Sequence, residues 1–291
     1  MSNGLIALRT PHRAHFALER EGAREAHLDY VLTPYVAPAN AEGKLRSINI
    51  LRASFEAAGR LEQGNALIAR VLETLGRDRT VWGIKKRPDG SLGWEFYFYD
   101  WERRHADLSI AALRALFAPV VNITAVESFA LPWHMISVEV GAAALDGQEA
   151  PLDVYVDMRS YTLRGGLPEL ANLYTFHDPK TEIDHVMQRL RSSLHFDWKR
   201  DALTQLLPPW MYRCHKLCVA NKRHADALYA ARIPTTALQK FLARHDWPLP
   251  LRAFIDAHAH ELDHLFFDVG VDFAREHDQL VTRKTGIYGF F

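Results

Sequence analysis

The feature of this sequence that most constrains its fold is a hairpin–helix unit that recurs four times along the chain. Each copy joins two β-rich runs through a polar turn, and helical patterns separate the copies. The predicted hairpins cover 80–101, 134–163, 212–233 and 264–291, and an extra β-like run covers 172–177. The predicted helices cover 47–76, 108–116, 182–194, 235–245 and 251–264.

Antiparallel hairpins in series must bury one sheet face under the helices between them. Closing the sheet into a barrel removes its exposed edges. The sequence therefore predicts an α+β fold: an antiparallel β-barrel built from repeated hairpin–helix units, with an outer ring of helices. No linker or low-complexity stretch divides the chain. We expect one domain over 1–291, in which 1–45 supplies opening strands and 46–291 the repeated units.

Side-chain alternation in the predicted strands pairs an aliphatic face with a face that mixes tyrosines and charges. Four such faces recur: Glu95, Tyr97, Tyr99 and Trp101; Asp153, Tyr155, Asp157, Arg159 and Tyr161; Tyr212, Cys214, Lys216 and Cys218; and Lys284, Gly286 and Tyr288. A surface strand would also be polar on one side. Rings as large as tyrosine usually stack on a neighbour, so we expect these faces to line a lumen.

Composition and charge narrow the class of protein. Lys and Arg total 35, as do Asp and Glu, and this balance predicts neither a nucleic-acid partner nor a membrane partner. The first residues lack the apolar core of a secretory signal, and no window has the 18 or more apolar residues of a membrane-spanning helix. On one strand, Cys214 and Cys218 would lie roughly 13 Å apart, too far for a disulfide. We therefore expect two free thiols in a cytoplasmic protein.

Three segments carry a resemblance to a known family. They are "PLDVYVDMRSY" at 151–161, the hairpin "CHKLCVANKRHADALYAARI" at 214–233 and the closing strand "KTGIYGFF" at 284–291. Together with the architecture of 45–291, they resemble the ABBA-type prenyltransferase barrel. Length and layout are most similar to those of the cyanobactin peptide prenyltransferases. The resemblance implies transfer of a dimethylallyl or geranyl group from its diphosphate to an electron-rich acceptor, with a peptide side chain favoured over a small aromatic molecule.

Prenyl transfer needs three kinds of side chain. Lysine and arginine neutralise the diphosphate, aromatic rings shield the allylic cation from water, and a carboxylate takes the proton of the acceptor. The resemblance implies that the diphosphate is bound by Lys85, Arg159, Lys216 and Lys284. It implies that the shield is formed by Tyr97, Tyr155, Tyr212, Tyr229 and Tyr288. The base is implied to be Glu95, Asp157 or Glu139, with Glu56 and Glu62 as alternatives.

The resemblance implies no organic cofactor and no metal held by the protein itself, with Mg²⁺ as a companion of the diphosphate donor. Two other functions stay open. A barrel without a convergent positive site would be a non-catalytic ligand-binding protein. The segment "HELDH" at 260–264 matches the H-E-x-x-H of zinc hydrolases, whose two histidines ligate zinc from one helix face. The helical pattern ends near His264 and no third ligand is placed beyond it, so we expect an accidental match.

Overall fold

The computed structural model describes residues 14–23, 25–100, 108–124, 129, 132–163 and 168–291. The first thirteen residues and Trp101 lie outside this described part. In chain order the strands are β1 (His27–Leu28), β2 (Pro34–Tyr35), β3 (Thr80–Lys86), β4 (Leu92–Tyr99), β5 (Asn122–Ile123), β6 (Met135–Gly141), β7 (Glu149–Ala150), β8 (Leu152–Val156), β9 (Arg159–Leu163), β10 (Glu169–His177), β11 (Lys216–Lys222), β12 (Asp226–Pro234), β13 (Phe266–Glu276) and β14 (Gln279–Phe290). The helices are α1 (Ile48–Ala57), α2 (Leu61–Leu75), α3 (Ile110–Phe117), α4 (Ala142–Leu145), α5 (Ile183–Arg191), α6 (Thr235–Arg244) and α7 (Leu249–Ala257).

Ten of these strands form a closed barrel. Around the ring the order is β10–β11–β12–β13–β14–β3–β4–β6–β8–β9, and the pairing of β9 with β10 closes it. Neighbouring strands are antiparallel throughout the ring. The predicted antiparallel barrel of hairpins is therefore confirmed, and the extra run at 172–177 is part of β10. Across the described residues, no helix has both the length and the apolar character needed to span a membrane.

The helices pack on the outer face of the barrel, where the aliphatic and aromatic sides of the strands form the main core. The ring of Phe55 on α1 stacks on Trp94 of β4 with centroids 4.0 Å apart. The Trp94 indole N–H donates to the Ser54 hydroxyl over 2.8 Å, so this buried polar group keeps a partner. Burying such rings against the helices leaves the polar side of the same strand facing inwards.

The stretch 152–161, predicted as one strand, is instead a tight hairpin. Asp157 and Met158 form its two-residue turn, and both have positive φ, 44° and 64°. Two consecutive residues of this kind match the type I′ turn that suits the twist of a hairpin. The turn divides the stretch into β8 and β9, so residues before and after it no longer alternate in one series. Cross-strand pairing places Ser160 opposite Tyr155 and Arg159 opposite Val156.

Two predicted boundaries are wrong for identifiable reasons. The stretch that opens the third unit is a 3₁₀ turn at Pro209–Arg213, initiated by proline, and β11 begins only at Lys216. Helix α7 ends at Ala257 instead of near 264. In the chain that follows, the carbonyl of Glu261 accepts from the Leu45 N–H and the carbonyl of Leu262 accepts from the Thr235 hydroxyl. Tertiary hydrogen bonds thus replace another helical turn. Both cysteines are buried and free, as predicted.

The segment 27–35, which we call the plug, does not add strands to the barrel. Its strands β1 and β2 pair with each other, apart from the barrel sheet. Between them, Tyr30 and Leu32 pack with Leu28 on inward-facing residues at one end of the barrel, including Tyr288 and Phe290. The plug therefore closes one barrel end, which we call the plugged end, and forms no strand of the barrel, whereas Phe16 and Leu18 pack against the outer core.

Candidate active site

The inner faces of the barrel strands enclose a cavity of about 870 Å³. Glu95 and Tyr97 of β4 line it, as do Lys284 and Tyr288 of β14. These are faces on which the sequence places tyrosines beside charged residues. The expectation that such faces line a lumen is therefore confirmed for these two strands. At the end opposite the plug the cavity reaches solvent beside Arg223, whose side chain is 64% exposed.

Three lysines from three strands approach one another inside the cavity, and we call Lys85, Lys222 and Lys284 the lysine cluster. Lys85 forms an ion pair with Glu95, and its Nζ lies 3.1 Å from Glu139 Oε2. The other oxygen of Glu139 receives a hydrogen bond from Arg87 over 3.0 Å. Lys85 is buried, so its charge depends on these carboxylates instead of on water.

The remaining two lysines share one carboxylate. Lys222 Nζ lies 2.6 Å from Asp272 Oδ2, and Lys284 Nζ lies 3.4 Å from the same oxygen. Burial alone would raise the pKa of Asp272, but Lys222 and Lys284 outweigh it and lower that pKa. The positive charge of Lys85, together with the smaller effects of Lys284 and Arg87, lowers the pKa of Glu139 to about 2. Both acids are therefore ionised, and three lysines face three carboxylates.

Tyrosine rings adjoin the lysine cluster on the side of the plug. Tyr288 lies 6.0 Å from Tyr97 and 6.2 Å from Tyr229, measured between ring centroids. Tyr30 of the plug meets Tyr97 at 4.9 Å and Tyr288 at 5.1 Å, in edge-to-face arrangements. Burial raises the pKa of these phenols, so they remain neutral rings across the physiological pH range. The cavity thus has a charged end and an aromatic end.

Glycines on neighbouring strands make room for these rings. Tyr229 lies directly opposite Gly270 in the register, and a Cβ built on Gly270 would lie 2.5 Å from the ring of Tyr229. Tyr288 lies opposite Gly83, where a Cβ would come within 2.9 Å of its ring. Cross-strand neighbours lie so close that a ring can lie flat on its neighbour only where that neighbour has no side chain.

A further carboxylate, Asp153 of β8, lies half-buried in the cavity wall. Burial first, and the negative charge of Glu95 second, raise the pKa of Asp153 to about 6. Its side chain hydrogen-bonds to Thr162, its cross-strand partner on β9. Asp268 of β13, at the plugged end of the cavity, also has a raised pKa, about 7, mainly through burial; it accepts the Arg232 backbone N–H over 2.7 Å. Asp153 and Asp268 are therefore two cavity carboxylates that take up a proton near neutral pH.

Twelve residues were proposed from the sequence as the main site residues, and eight of them meet in the cavity. Those that line the cavity are Lys85, Glu95, Tyr97, Glu139, Lys216, Tyr229, Lys284 and Tyr288. Lys216 is apart from the lysine cluster, because it lies six residues before Lys222 on β11, roughly 20 Å along an extended strand. It lines the cavity beside the plug.

Three of the proposed residues lie elsewhere, which contradicts the face assigned to them. Arg159 is exposed and pairs across the sheet with Val156, so it points away from the lumen. Asp157 occupies the β8–β9 turn, where its side chain is 77% exposed. Tyr212 lies in the 3₁₀ turn before β11 and packs against the outer core. In each case a turn interrupts the predicted strand and ends the alternation.

The other candidates have peripheral positions. Tyr155 packs beside the inward-facing cluster under the plug, and its hydroxyl contacts the Met158 sulfur at 3.0 Å. Glu56 lies on α1 and accepts from His15, and Glu62 lies in the first turn of α2. Neither glutamate belongs to the cavity lining.

Sequence reasoning missed Lys222, Asp272, Asp153 and the plug residue Tyr30 as parts of the site. A signal existed for three of them. Lys222 has the same parity as Lys216 on β11, and Asp272 alternates with the buried valines of β13. Asp153 has the parity of Tyr155. No local pattern places Tyr30, because its position depends on a segment that folds across the barrel end.

The "HELDH" segment does not have the geometry of a zinc hydrolase. It follows the end of α7 and forms turns, so its two histidines are not one helical turn apart. His260 is exposed, whereas His264 is completely buried. The segment therefore lacks the helix face from which that motif binds zinc.

No family model matches this sequence, and no curated protein matches it significantly. Solved structures do match the fold. The 5-dimethylallyl tryptophan synthase from Streptomyces coelicolor, in complex with DMASPP and Trp, aligns with a TM-score of 0.51 at 9% identity, over 82% of this chain and 92% of that chain. This chain has the prenyltransferase-barrel fold. The 6-dimethylallyltryptophan synthase from Micromonospora olivasterospora, also in complex with DMASPP and Trp, aligns at 0.49 and 10% identity, over 83% and 95% of the two chains.

Proposed function

We propose that this protein is a prenyltransferase that moves a dimethylallyl or geranyl group from its diphosphate to a small electron-rich aromatic acceptor. The observation that supports the proposal is the joining of a lysine cluster and a set of tyrosine rings in one barrel cavity. The barrel fold adds support, since a protein of the same fold binds DMASPP and Trp. A shared fold does not determine the reaction, so the proposal rests on the residues that line the cavity.

In the first step the C–O bond of the allylic diphosphate breaks, and its electron pair leaves with pyrophosphate. The leaving group needs positive charge and N–H donors where negative charge develops. A lysine has three donors. Lys284 forms an ion pair with Asp272 at 3.4 Å, and Lys222 uses two donors, on Asp272 and on the Tyr229 hydroxyl at 3.4 Å. Donors thus remain on both lysines for the phosphate oxygens.

In the second step the allylic cation must survive until the acceptor reaches it. Tyr97, Tyr229 and Tyr288 provide neutral rings beside the lysine cluster. The negative faces of such rings attract a cation, and their bulk keeps water away. The allylic group of a donor whose diphosphate lies on the lysines would extend towards these rings.

In the third step a carbon of the acceptor attacks the cation, and the acceptor then loses a proton. We assign this proton to Asp153. A base works best when its pKa lies near the working pH. The pKa of Asp153 is about 6, whereas that of Glu139 is about 2 and makes it a weak base. The pKa of Asp268 is about 7, but its carboxylate accepts the backbone N–H of Arg232, the residue that pairs with Asp29 of the plug. Glu95 lies beside Asp153 but is already engaged by Lys85 and by the Tyr97 hydroxyl.

A small acceptor fits this cavity better than a peptide. The plug lies across one end, and Tyr30 extends into the space between Tyr97 and Tyr288. This arrangement leaves room near the rings for one aromatic group but interrupts an extended path for a peptide backbone. A peptide acceptor, implied by the resemblance to the cyanobactin enzymes, is thus the less favoured variant of the proposal.

One observation favours a second candidate, a barrel that binds a ligand without catalysis. All three lysines of the cluster are paired with carboxylates, so the site has no large excess of positive charge. A diphosphate must share these lysines with Glu139 and Asp272. The two candidates differ in whether the bound donor loses pyrophosphate.

The deciding experiment is calorimetric titration with non-ionisable dimethylallyl and geranyl thiolodiphosphates, with and without Mg²⁺. We expect about one equivalent to bind, and Lys222→Ala to weaken binding by about tenfold or more, since a charge-assisted hydrogen bond to a phosphate is lost. Lys216→Ala is the matched control on the same strand and should change affinity less than about twofold. No binding by the wild type, or equal losses in both variants, would overturn the assigned site.

Catalysis is then tested with dimethylallyl diphosphate and either free tryptophan or a tryptophan-containing peptide. Release of pyrophosphate together with a prenylated amino acid supports the proposed transferase. Donor binding without pyrophosphate release with either acceptor would instead support the ligand-binding barrel. Faster prenylation of the peptide would reverse the choice of acceptor.

A further inference from the structure

A second group of chemically competent side chains lies outside the barrel cavity. Glu21, His27 and His264 each offer one ligand atom, and these three atoms lie within 4.8 Å of one another. The side chains are almost completely removed from solvent: Glu21 and His27 are each 7% exposed, and His264 is 0% exposed. None of the three lines the cavity.

The two histidines have ring nitrogens without hydrogen-bond partners. These atoms are His27 Nε2 and both nitrogens of His264. Buried polar atoms are nearly always satisfied, because an unsatisfied one costs about 1–3 kcal/mol. The rings meet edge-to-face with centroids 5.6 Å apart, and His264 Nε2 lies 3.7 Å from Glu21 Oε1. Two imidazoles and one carboxylate oxygen thus converge with free lone pairs.

We propose that Glu21, His27 and His264 form a binding site for one divalent transition-metal ion, with Zn²⁺ as the best match. Zinc takes imidazole nitrogen and carboxylate oxygen as ligands at about 2.0–2.2 Å, which separates tetrahedral ligand atoms by roughly 3.3 Å. The 3.7 Å separation of His264 and Glu21 is already close to that value. Small side-chain rotations would bring the ligand nitrogen of His27 to the same ion.

The local charges suit a cation despite a nearby arginine. Arg46 Nη1 lies 3.3 Å from Glu21 Oε2, the carboxylate oxygen that does not face His264. Arg46 also forms an ion pair with Glu25. The guanidinium is therefore shared between two carboxylates, and Glu21 keeps one oxygen turned towards His264.

The three ligands come from separate parts of the chain. Glu21 precedes the plug, His27 lies in β1 of the plug, and His264 lies two residues before β13 of the barrel. A metal held by all three cross-links the plug to the barrel chain. The binding free energy of the metal would stabilise the folded protein, because the three ligands are not held together in the unfolded chain. The role assigned is structural and does not depend on the proposed prenyl transfer.

The test uses the full-length protein with any histidine tag removed, stripped of metal and dialysed against limiting Zn²⁺ before elemental analysis. We expect about one equivalent of Zn²⁺ per chain. Co²⁺ in place of Zn²⁺ should give the visible absorption of a low-coordinate site, with no variant needed. Binding should be lost in His27→Gln and Glu21→Gln and kept in His260→Gln, an exposed histidine of the same segment as His264.

His264→Gln is a supporting variant only, because substitution of a completely buried ring can prevent folding. Zn²⁺ should also raise the unfolding midpoint of the wild type and slow proteolysis within residues 14–35, with no such effect in His27→Gln. Wild-type protein that binds no Zn²⁺ and shows no Co²⁺ absorption would overturn the proposal. So would equal loss of metal in His260→Gln and His27→Gln.

Discussion

Asp153 and Asp157 are four residues apart and have opposite environments. Asp153 lies in the cavity wall beside Glu95, and its pKa is raised to about 6 by burial and by that neighbouring charge. Asp157 lies in an exposed turn. The sequence places both on one strand face, and only the turn between β8 and β9 separates their roles. At the residue scale, therefore, the environment decides which carboxylate can act as a base.

Asp153→Asn is expected to lower kcat by about 100-fold or more, the usual range for removing a general base. In the wild type, Asp153 must be deprotonated to accept a proton, so kcat/KM should rise with pH up to about 6 and then level off. The variant should lose this inflection. The measurement is a pH profile of pyrophosphate release in the presence of acceptor.

Asp157→Asn is the matched control for this prediction. Asn tolerates the positive φ of position 157, so the turn should be preserved. Its activity and pH profile should equal those of the wild type. A pH inflection that persists in Asp153→Asn would transfer the role of base to another group, with Asp268, whose pKa is raised to about 7, as the first to examine.

Alternation along a strand is reliable where the strand is uninterrupted. In β4 and β14 it correctly brings Glu95, Tyr97, Lys284 and Tyr288 to the inner face. Between β12 and β13 the register also matters. It places Tyr229 opposite Gly270, so the ring has space to lie across the neighbouring strand. Sequence alternation indicates a shared face within one strand. The pairing of a ring with a glycine needs the register between two strands.

Gly270→Ala is expected to destabilise the protein by about 1–3 kcal/mol, although alanine normally replaces glycine in a strand at no cost. The reason is the 2.5 Å approach of the added Cβ to the Tyr229 ring. Urea unfolding measures the change. Gly141→Ala on β6 is the control, because its Cβ would meet no atom closer than 3.9 Å, and it should shift stability by less than about 0.5 kcal/mol.

The same variant tests the site. A displaced Tyr229 ring should weaken binding of the thiolodiphosphate donors, which Gly141→Ala leaves unchanged. Equal stability and equal donor binding in Gly270→Ala and the wild type would show that the ring of Tyr229 moves aside freely, and that the glycine is not needed to position it.

On the scale of the whole molecule, the plug determines how deep the cavity is. Tyr30 is half-buried and contacts Tyr97, Tyr99 and Tyr288 across the barrel end. Arg232 fastens the plug by pairing with Asp29 at 2.7 Å. The cavity between the lysine cluster and Tyr30 is thus the space in which the prenyl chain of a donor would lie.

Tyr30→Ala is expected to favour the longer donor. Removing the ring opens space for one more isoprene unit, so the ratio of geranyl to dimethylallyl thiolodiphosphate affinity should rise by about tenfold, as expected for several extra buried methylene groups. Tyr30→Phe keeps the ring and should leave the ratio unchanged. Calorimetric titration with both analogues measures it. An unchanged ratio in Tyr30→Ala would place the end of the prenyl pocket elsewhere.

The sequence alone determined the class of fold and much of the site chemistry. Turn signals and period-two alternation are local, so the hairpins, the closed barrel and the inward polar faces of β4 and β14 followed from them. The one-domain description of 1–291 stays a prediction, because the first thirteen residues lie outside the described part.

Tertiary structure alone decided which charges meet. Lys222 and Lys284 are 62 positions apart and share Asp272, while Lys216 and Lys222, on one strand, are held at opposite ends of the cavity. Closure of the barrel brings distant strands into register, and the plug reaches its place through contacts spanning most of the chain. Such contacts have no local sequence pattern, because they depend on register and chain path. Glu21, His27 and His264 likewise meet only in the folded chain.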